Sequence, residues 1–352
     1  MQALVVDPGT AGSARIEEVA EPSAAGAVLI RVVEVGVCGT DREIVGGHFG
    51  VAPADRAALV LGHELLGVVE RDGGGFSRGD LVSATVRRSC GRCVACAAAA
   101  PDSCLTGDYT ERGITSLDGF ASDLVAELPE HLVPVPARLA SVGVLSEPAA
   151  VSARAVRHAR AVGDRQPWQP ARALVLGNGA IGMLSALLLR LEGLEVWVSG
   201  LAPAGGEGAA LVEGIGARYL EAQPGAVPAA AMDAGGFDVV LEATGDADVT
   251  AASLGLLRRS GVAVILGIDG RPRSVAVDGR VLGLDLVLGN RALIGSVNAR
   301  ADDWRAAVAG LDAAWDRFGD VVERFVALRV PADRFADALA YRGIKAALTF
   351  GD

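Results

Sequence analysis

Ala173-Leu174-Val175-Leu176-Gly177-Asn178-Gly179-Ala180-Ile181-Gly182 decides the fold of this chain. A short apolar run reads as a buried strand, three glycines follow at G-x-G-x-x-G spacing, and residues 183–191, MLSALLLRL, continue with helical character. Glycines let the backbone turn tightly and approach a pyrophosphate, whose charge the helix N-terminus attracts. Among 46 glycines such a spacing alone is weak. It becomes specific because a second strand, Glu195 to Ser199, follows at the distance of a βαβ unit. Further strands recur at 237–245 (FDVVLEATG), 261–268 (GVAVILGI) and 291–297 (RALIGSV). The pattern predicts an α/β chain with a doubly wound parallel sheet over about residues 148–300 that binds a dinucleotide. Gly177, Gly179, Ala180, Ile181 and Gly182 are its expected contacts in the first turn, with Ser199, Thr244 and Gly267 on later segments.

Upstream the pattern changes. VLIRVVEVGVCG and ELLGVVE alternate or run β-branched between glycine turns, so residues 1–147 read as an all-β, barrel-like domain. Pro129, Pro134, Pro136 and the helical SEPAAVSARAVRHA mark the crossover. Residues 301–352 hold a helical DDWRAAVAGLDAAW and a last strand, AALTF, expected to return to the first domain.

The composition sets outer bounds. A length of 352 residues, 51% hydrophobic and 21% charged, favours two globular domains. A net charge of -11, without a basic run interleaved with aromatics, argues against nucleic acid as a partner. No basic segment precedes an apolar run at the N-terminus, and Arg190 breaks the most apolar stretch, so no membrane span and a cytoplasmic location are expected.

Cys90, Cys93, Cys96 and Cys104 form C-x2-C-x2-C-x7-C within a lobe spanning about residues 88–106. Four thiolates at such spacing can enclose one tetrahedral zinc ion; a pair of disulfides is the rival, disfavoured in a reducing compartment. Cys38 in VGVCGTD, His63 in LGHE and Glu147 in LSEP are separate in sequence, but each follows an apolar segment near a glycine or proline turn. A thiolate, an imidazole and a carboxylate suit a zinc site with an open position, with Glu64 as an alternate ligand or supporting group. Each also has an ordinary reading as a core cysteine, a core histidine or a first-turn helix carboxylate, and periodicity leaves these open.

VCGTDREI, LGHELLGVV, RGDLV, the four-cysteine lobe, LSEP and GNGAIG, in that order, resemble the zinc-dependent medium-chain alcohol dehydrogenases over nearly the whole chain. CGTDREI, VRRSCGRC, ERGITSLDGF, LVLGNGAIG, LEATG and IGSVN are most similar to the archaeal-type glucose 1-dehydrogenases. The resemblance implies a GroES-like catalytic β-barrel, a Rossmann domain, a cleft between them and a homodimer or homotetramer. It implies catalytic zinc on Cys38, His63 and Glu147, with Glu64 as the exchangeable ligand and Thr40 beside the substrate oxygen. Glu111 and Asn298 match positions that contact sugar hydroxyls, Glu147 lies at the same site, and Asn298 is also expected near the cofactor. The implied reaction is hydride transfer from a sugar or alcohol to NAD or NADP, with zinc lowering the pKa of the alcohol.

The chain departs from that pattern after its second parallel strand. Ser199-Gly200-Leu201-Ala202 offers neither the basic cluster that holds a 2′-phosphate nor the acid that takes the ribose diol. With Ser199 or backbone groups left to bond the diol, the expectation leans to NAD, and Arg218 is a candidate for reaching a phosphate. Val86 and Val151 replace polar groups found in some sugar-oxidising members. A dehydrogenase of a cyclitol, aminosugar or other secondary alcohol is therefore a second reading, and a non-catalytic nucleotide-binding protein of the same fold a third.

Overall fold

The computed structural model describes residues 1–23, 25–268, 270 and 273–351. These form two units, one of residues 1–150, 298–312 and 325–352, the other of residues 151–297 and 313–324.

The second unit is built on six parallel strands: Arg172–Leu176, Glu195–Gly200, Arg218–Glu221, Phe237–Glu242, Leu257–Ile265 and Ala292–Gly295. In space they run third, second, first, fourth, fifth, sixth, so the strand order reverses between the first and the fourth. A doubly wound sheet opens its ligand crevice at that reversal, beyond the carboxyl ends of the strands. Phe237–Glu242 is buried along its whole length, consistent with a central strand covered on both faces. Helix Ala180–Leu191 follows the first strand and buries Met183, Leu184, Leu187 and Leu189. Each such side chain contributes about 1.5–3 kcal/mol when removed from water. The third strand, RYLE, carries no apolar alternation and was not anticipated; it is an edge strand with no fully buried residue.

The first unit centres on the ten-residue strand Val28–Val37. It pairs antiparallel with Glu64–Val69, with Leu124–Glu127 and with Lys345–Thr349. The larger sheet runs Leu132–Pro134, Leu81–Ala84, Glu64–Val69, Val28–Val37, Lys345–Thr349, Val326–Pro331. Two small three-stranded sheets accompany it, one of them formed by Arg87–Arg88, Thr110–Arg112 and Ser116–Leu117. The AALTF segment forms most of the strand Lys345–Thr349, which pairs with the central strand of the first unit. Val326–Pro331 was not expected as a strand. Among the described residues no helix is long and apolar enough to cross a membrane.

Candidate metal centre and cofactor site

Strand register brings the first set of side chains together. Glu64 lies opposite Gly36, and a Cβ at Gly36 would sit 1.9 Å from Glu64 Oε2, so only glycine leaves room for the carboxylate. The neighbouring strand supplies its partner: Lys345 donates to both Glu64 oxygens at 2.6 Å and to the Val37 carbonyl at 3.3 Å. Both side chains are 1% exposed. Burial works against the ammonium, but Glu64 and Cys38 raise its pKa above the ordinary value. Lys345 is the single lysine of the chain.

Cys38 ends the central strand and caps helix Gly39–Val45; its Sγ accepts from Thr40 N at 3.2 Å while Asp41 accepts from Cys38 N at 2.9 Å. This reciprocal cap fixes the thiol at the helix start and turns Asp41 inward, where it is buried. His63 follows Gly62, whose φ of 85° suits glycine. Its ring is held between two groups, with Nε2 3.1 Å from Cys38 Sγ and Nδ1 3.5 Å from Asp41 Oδ1. Burial opposes charge on the ring, yet Cys38 and Asp41 lift its pKa well above the ordinary value. Asp41 is held below its usual range by His63 despite burial. Burial pushes the Glu147 carboxyl up to about 7.

Potential ligand atoms of Cys38, Asp41 and His63 lie within 4.8 Å of one another, as do those of His63, Glu64 and Glu147. His63 is common to both groups. One thiol, one imidazole and carboxylates converging in a buried place suit a divalent soft-to-borderline cation, and His63 Nδ1 and Asp41 Oδ1 are buried without a well-formed hydrogen bond. An Nε2-bound ion with Nδ1 facing a carboxylate is the arrangement that fixes the tautomer of a metal-binding histidine. Asp41 and Lys345 were missed from sequence. The first could have been found from the acidic residue three after the capping cysteine, the second from its being the chain's one lysine.

The four cysteines also meet. Sulfur separations are 3.4 Å for Cys93–Cys96, 3.5 Å for Cys90–Cys104 and 3.8 Å for Cys90–Cys96, and all five cysteines of the chain are free thiols. These are near the edge of about 3.8 Å for a tetrahedron of sulfurs 2.3 Å from zinc. A hydrogen bond from Thr106 leads the effects that lower the Cys104 pKa to about 5.

A third polar group lies beside that lobe. Glu111 Oε1 accepts from Arg87 Nε at 2.9 Å and from Asn298 Nδ2 at 3.2 Å, which joins the two residues expected to contact sugar hydroxyls. Arg87 also donates to the Asp102 carbonyl at 2.8 Å and lies 3.9 Å over the Tyr109 ring. Thr40, in the first turn after Cys38, is half-buried.

At the dinucleotide fingerprint, Gly177 has φ 102° and donates to the Ser199 carbonyl at 2.8 Å. A Cβ at Gly182 would lie 1.9 Å from the Gly177 carbonyl oxygen, so helix and strand approach only as glycines allow. Gly179 is the N-cap of the helix that starts with Ala180 and Ile181. Glu242 is buried and accepts from Thr244 N at 2.6 Å, which orders the turn beyond the fourth strand. Gly267 N donates to the Glu242 carbonyl. Arg218 sits at the opposite end of its strand from this turn. It stacks on Trp197 at 5.2 Å and pairs with Glu195, while Glu221 is the residue beside Gly200. Arg218 is therefore no clamp for a 2′-phosphate.

An antiparallel barrel-type unit with a Cys/His/Glu cluster, together with a Rossmann sheet, defines a zinc-dependent dehydrogenase of the medium-chain class. Two family models match, the alcohol dehydrogenase GroES-like domain over residues 24–137 and the glucose dehydrogenase C-terminus over residues 140–350. The chain is 37% identical to glucose 1-dehydrogenase of Methanocella arvoryzae, over 96% of each chain. It is also 37% identical to that of Thermoproteus tenax, covering 97% of this chain and 96% of the relative. Haloferax mediterranei glucose dehydrogenase, solved with NADP, Zn and gluconolactone, superimposes with a TM-score of 0.90 at 30% identity over 100% of both chains. The chain belongs to the archaeal-type glucose 1-dehydrogenase family of zinc-dependent medium-chain dehydrogenases.

Proposed function

We propose that this protein is a zinc- and NAD(P)-dependent sugar dehydrogenase that oxidises an aldose such as glucose, passing a hydride to the nicotinamide and one proton to solvent. The observation that carries the reading is the meeting of Cys38 Sγ and His63 Nε2 at 3.1 Å, with Glu147 and Glu64 gathered around the same ring. A zinc ion bound there supplies Lewis acidity that lowers the pKa of an alcohol. The chain's own groups do the rest. Cys38, His63 and Glu147 hold the ion, Asp41 orients the imidazole, and Lys345 holds Glu64, the exchangeable ligand. The Thr40 hydroxyl passes the proton outward, and Glu111 and Asn298 bind sugar hydroxyls. Cys90, Cys93, Cys96 and Cys104 hold a second, structural zinc.

In this reading the unit of residues 1–150, 298–312 and 325–352 carries catalysis, and the unit of residues 151–297 and 313–324 binds the cofactor. The protein resides in the cytoplasm, where thiols stay free for metal. It works as a homodimer or homotetramer. The solvent-facing side of the sixth strand supports assembly: Leu293 in it is 42% exposed, Val297 just after it 55%, and Val287 and Leu288 in the segment before it 65% and 58%.

The test is formation of reduced nicotinamide with a panel of aldoses, polyols and cyclitols. Turnover of an aldose is expected. Turnover of a cyclitol or polyol alone would replace the substrate class. Tight cofactor binding without turnover of any alcohol would mark a non-catalytic protein of this fold.

A further inference from the structure

The end of the second parallel strand carries a feature that the fingerprint alone does not explain. In dinucleotide-binding sheets an acidic residue stands there, about 20 residues past the glycine turn, and accepts the adenosine ribose 2′-hydroxyl. Here that place is Gly200. The Asn178 carboxamide occupies the place a side chain there would take: a Cβ at Gly200 would lie 2.5 Å from Asn178 Cγ, 2.6 Å from Oδ1 and 2.8 Å from Nδ2. A Cβ at Gly208, in the first turn of helix Glu207–Gly214, would lie 2.9 Å from Asn178 Nδ2. The carboxamide of the fingerprint residue between Gly177 and Gly179 is thus seated between two glycines, in the space the acid would fill. No hydrogen bond ties the carboxamide to another described residue. Its donor and its acceptor are both available. Ser199, by contrast, is 3% exposed, and strand alternation turns it to the face opposite Gly200.

The charge around this place is negative. Glu221 is the cross-strand neighbour of Gly200, and its Oε2 accepts from Ala204 N at 2.9 Å, pinning the loop after the second strand. Gln223 and that backbone N–H hold the Glu221 carboxyl below its ordinary pKa. Glu207 begins the helix that contains Gly208, and its partner is Arg324 at 3.2 Å. Tyr219 donates to the Ala202 carbonyl at 2.6 Å and closes the same loop.

We propose that Asn178 reads the adenosine ribose 2′ position in place of the absent acid, and that Glu221, beside it, selects the unphosphorylated cofactor. The proposal rests on the reading of the chain as a nicotinamide dehydrogenase and deepens it. A carboxamide offers the ribose hydroxyl one donor and one acceptor, as the acid offers acceptors. It gives a doubly charged phosphate no counter-charge, and the phosphate must also approach a carboxylate.

The experiment is direct binding of NADH and of NADPH to the purified zinc-loaded protein, followed by nicotinamide fluorescence without sugar. NADH is expected to bind at least about tenfold more tightly than NADPH, and Asn178→Ala to weaken NADH about five- to tenfold, the loss of one or two neutral hydrogen bonds. Asn178→Asp, which keeps the shape, is expected to retain NADH and widen the preference. Glu221→Gln, whose amide oxygen can still accept from Ala204 N, is expected to tighten NADPH and leave NADH within about twofold. A parent that favours NADPH, or Asn178→Asp and Glu221→Gln variants that leave the ratio unchanged, would overturn the proposal while leaving the dehydrogenase reading intact. Failure of both nucleotides to bind would instead overturn the dehydrogenase reading and the proposal with it.

Discussion

Lys345 and Glu64 are fixed by each other more than by anything local. Two opposite charges, each 1% exposed, lie at 2.6 Å, and removing one leaves the other buried and unpaired. Breaking such a pair costs about 3–5 kcal/mol. Lys345→Met is therefore expected to lower the thermal midpoint strongly, and the double variant Lys345→Met/Glu64→Gln to recover most of the loss; a melt of Lys345→Met unchanged from the parent would show that the pair is not buried. For the proposed chemistry the decisive side chains are Cys38 and His63. Substituting either by alanine is expected to reduce turnover by far more than tenfold while NADH still binds, because fingerprint and metal cluster belong to separate units. A rate within about tenfold of the parent, or about 1.4 kcal/mol of barrier, would remove the metal from the chemical step. Of these residues Cys38, His63, Glu64 and Glu147 could be singled out in sequence at glycine or proline turns after apolar runs, but their role as a ligand set came only from the family resemblance. The Lys345–Glu64 pair could not be read there, since 281 residues separate its members and only strand pairing joins them.

The four-cysteine lobe is the element whose proposed core is a metal ion. Its sulfurs already lie 3.4 to 3.8 Å apart, so binding zinc requires little rearrangement of the chain. Cys93→Ser is expected to lower thermal stability, since the free energy of a structural metal site is also folding free energy. Acidity should act on the same element. A depressed thiol pKa means thiolate above it and thiol below it, so Cys104, at about 5, is expected to be available as a ligand at neutral pH and to be lost as one in acid. Zinc release followed with a chromogenic chelator should rise as pH approaches 5; release complete near neutrality would contradict the thiolate assignment. Arg87 links this lobe to Glu111 through the Asp102 carbonyl, so Arg87→Ala is expected to raise the sugar KM more than it lowers kcat. At this scale the sequence was most readable where information is local. Strand, glycine turn and helix at 172–191 announce themselves within 20 residues, whereas RYLE at 218–221, an edge strand open to solvent, has no apolar alternation to find.

The whole molecule poses the question of what covers its apolar edge. The sixth strand ends the parallel sheet, so one side of its backbone has no partner among the described residues, and Leu293 in it and Val297 just after it are 42% and 55% exposed. Before it, residues 281–288 form a short helical segment on which Leu282, Leu284, Val287 and Leu288 are each at least 40% exposed. Isolated exposed leucines are ordinary, but six apolar side chains within 16 residues next to an open strand edge form a surface that water solvates poorly. A net charge of -11 opposes indiscriminate association, which favours a symmetric contact in which the same strand and segment meet their copies. Leu293→Arg or Val287→Asp would place like charges across such a two-fold and leave the buried core of the sheet untouched. Light scattering coupled to gel filtration is expected to show a dimer or tetramer for the parent and a smaller species for either variant, with NADH binding retained. A parent that runs as a monomer, or variants that leave the assembly unchanged, would mean that the exposed edge is not where the copies meet.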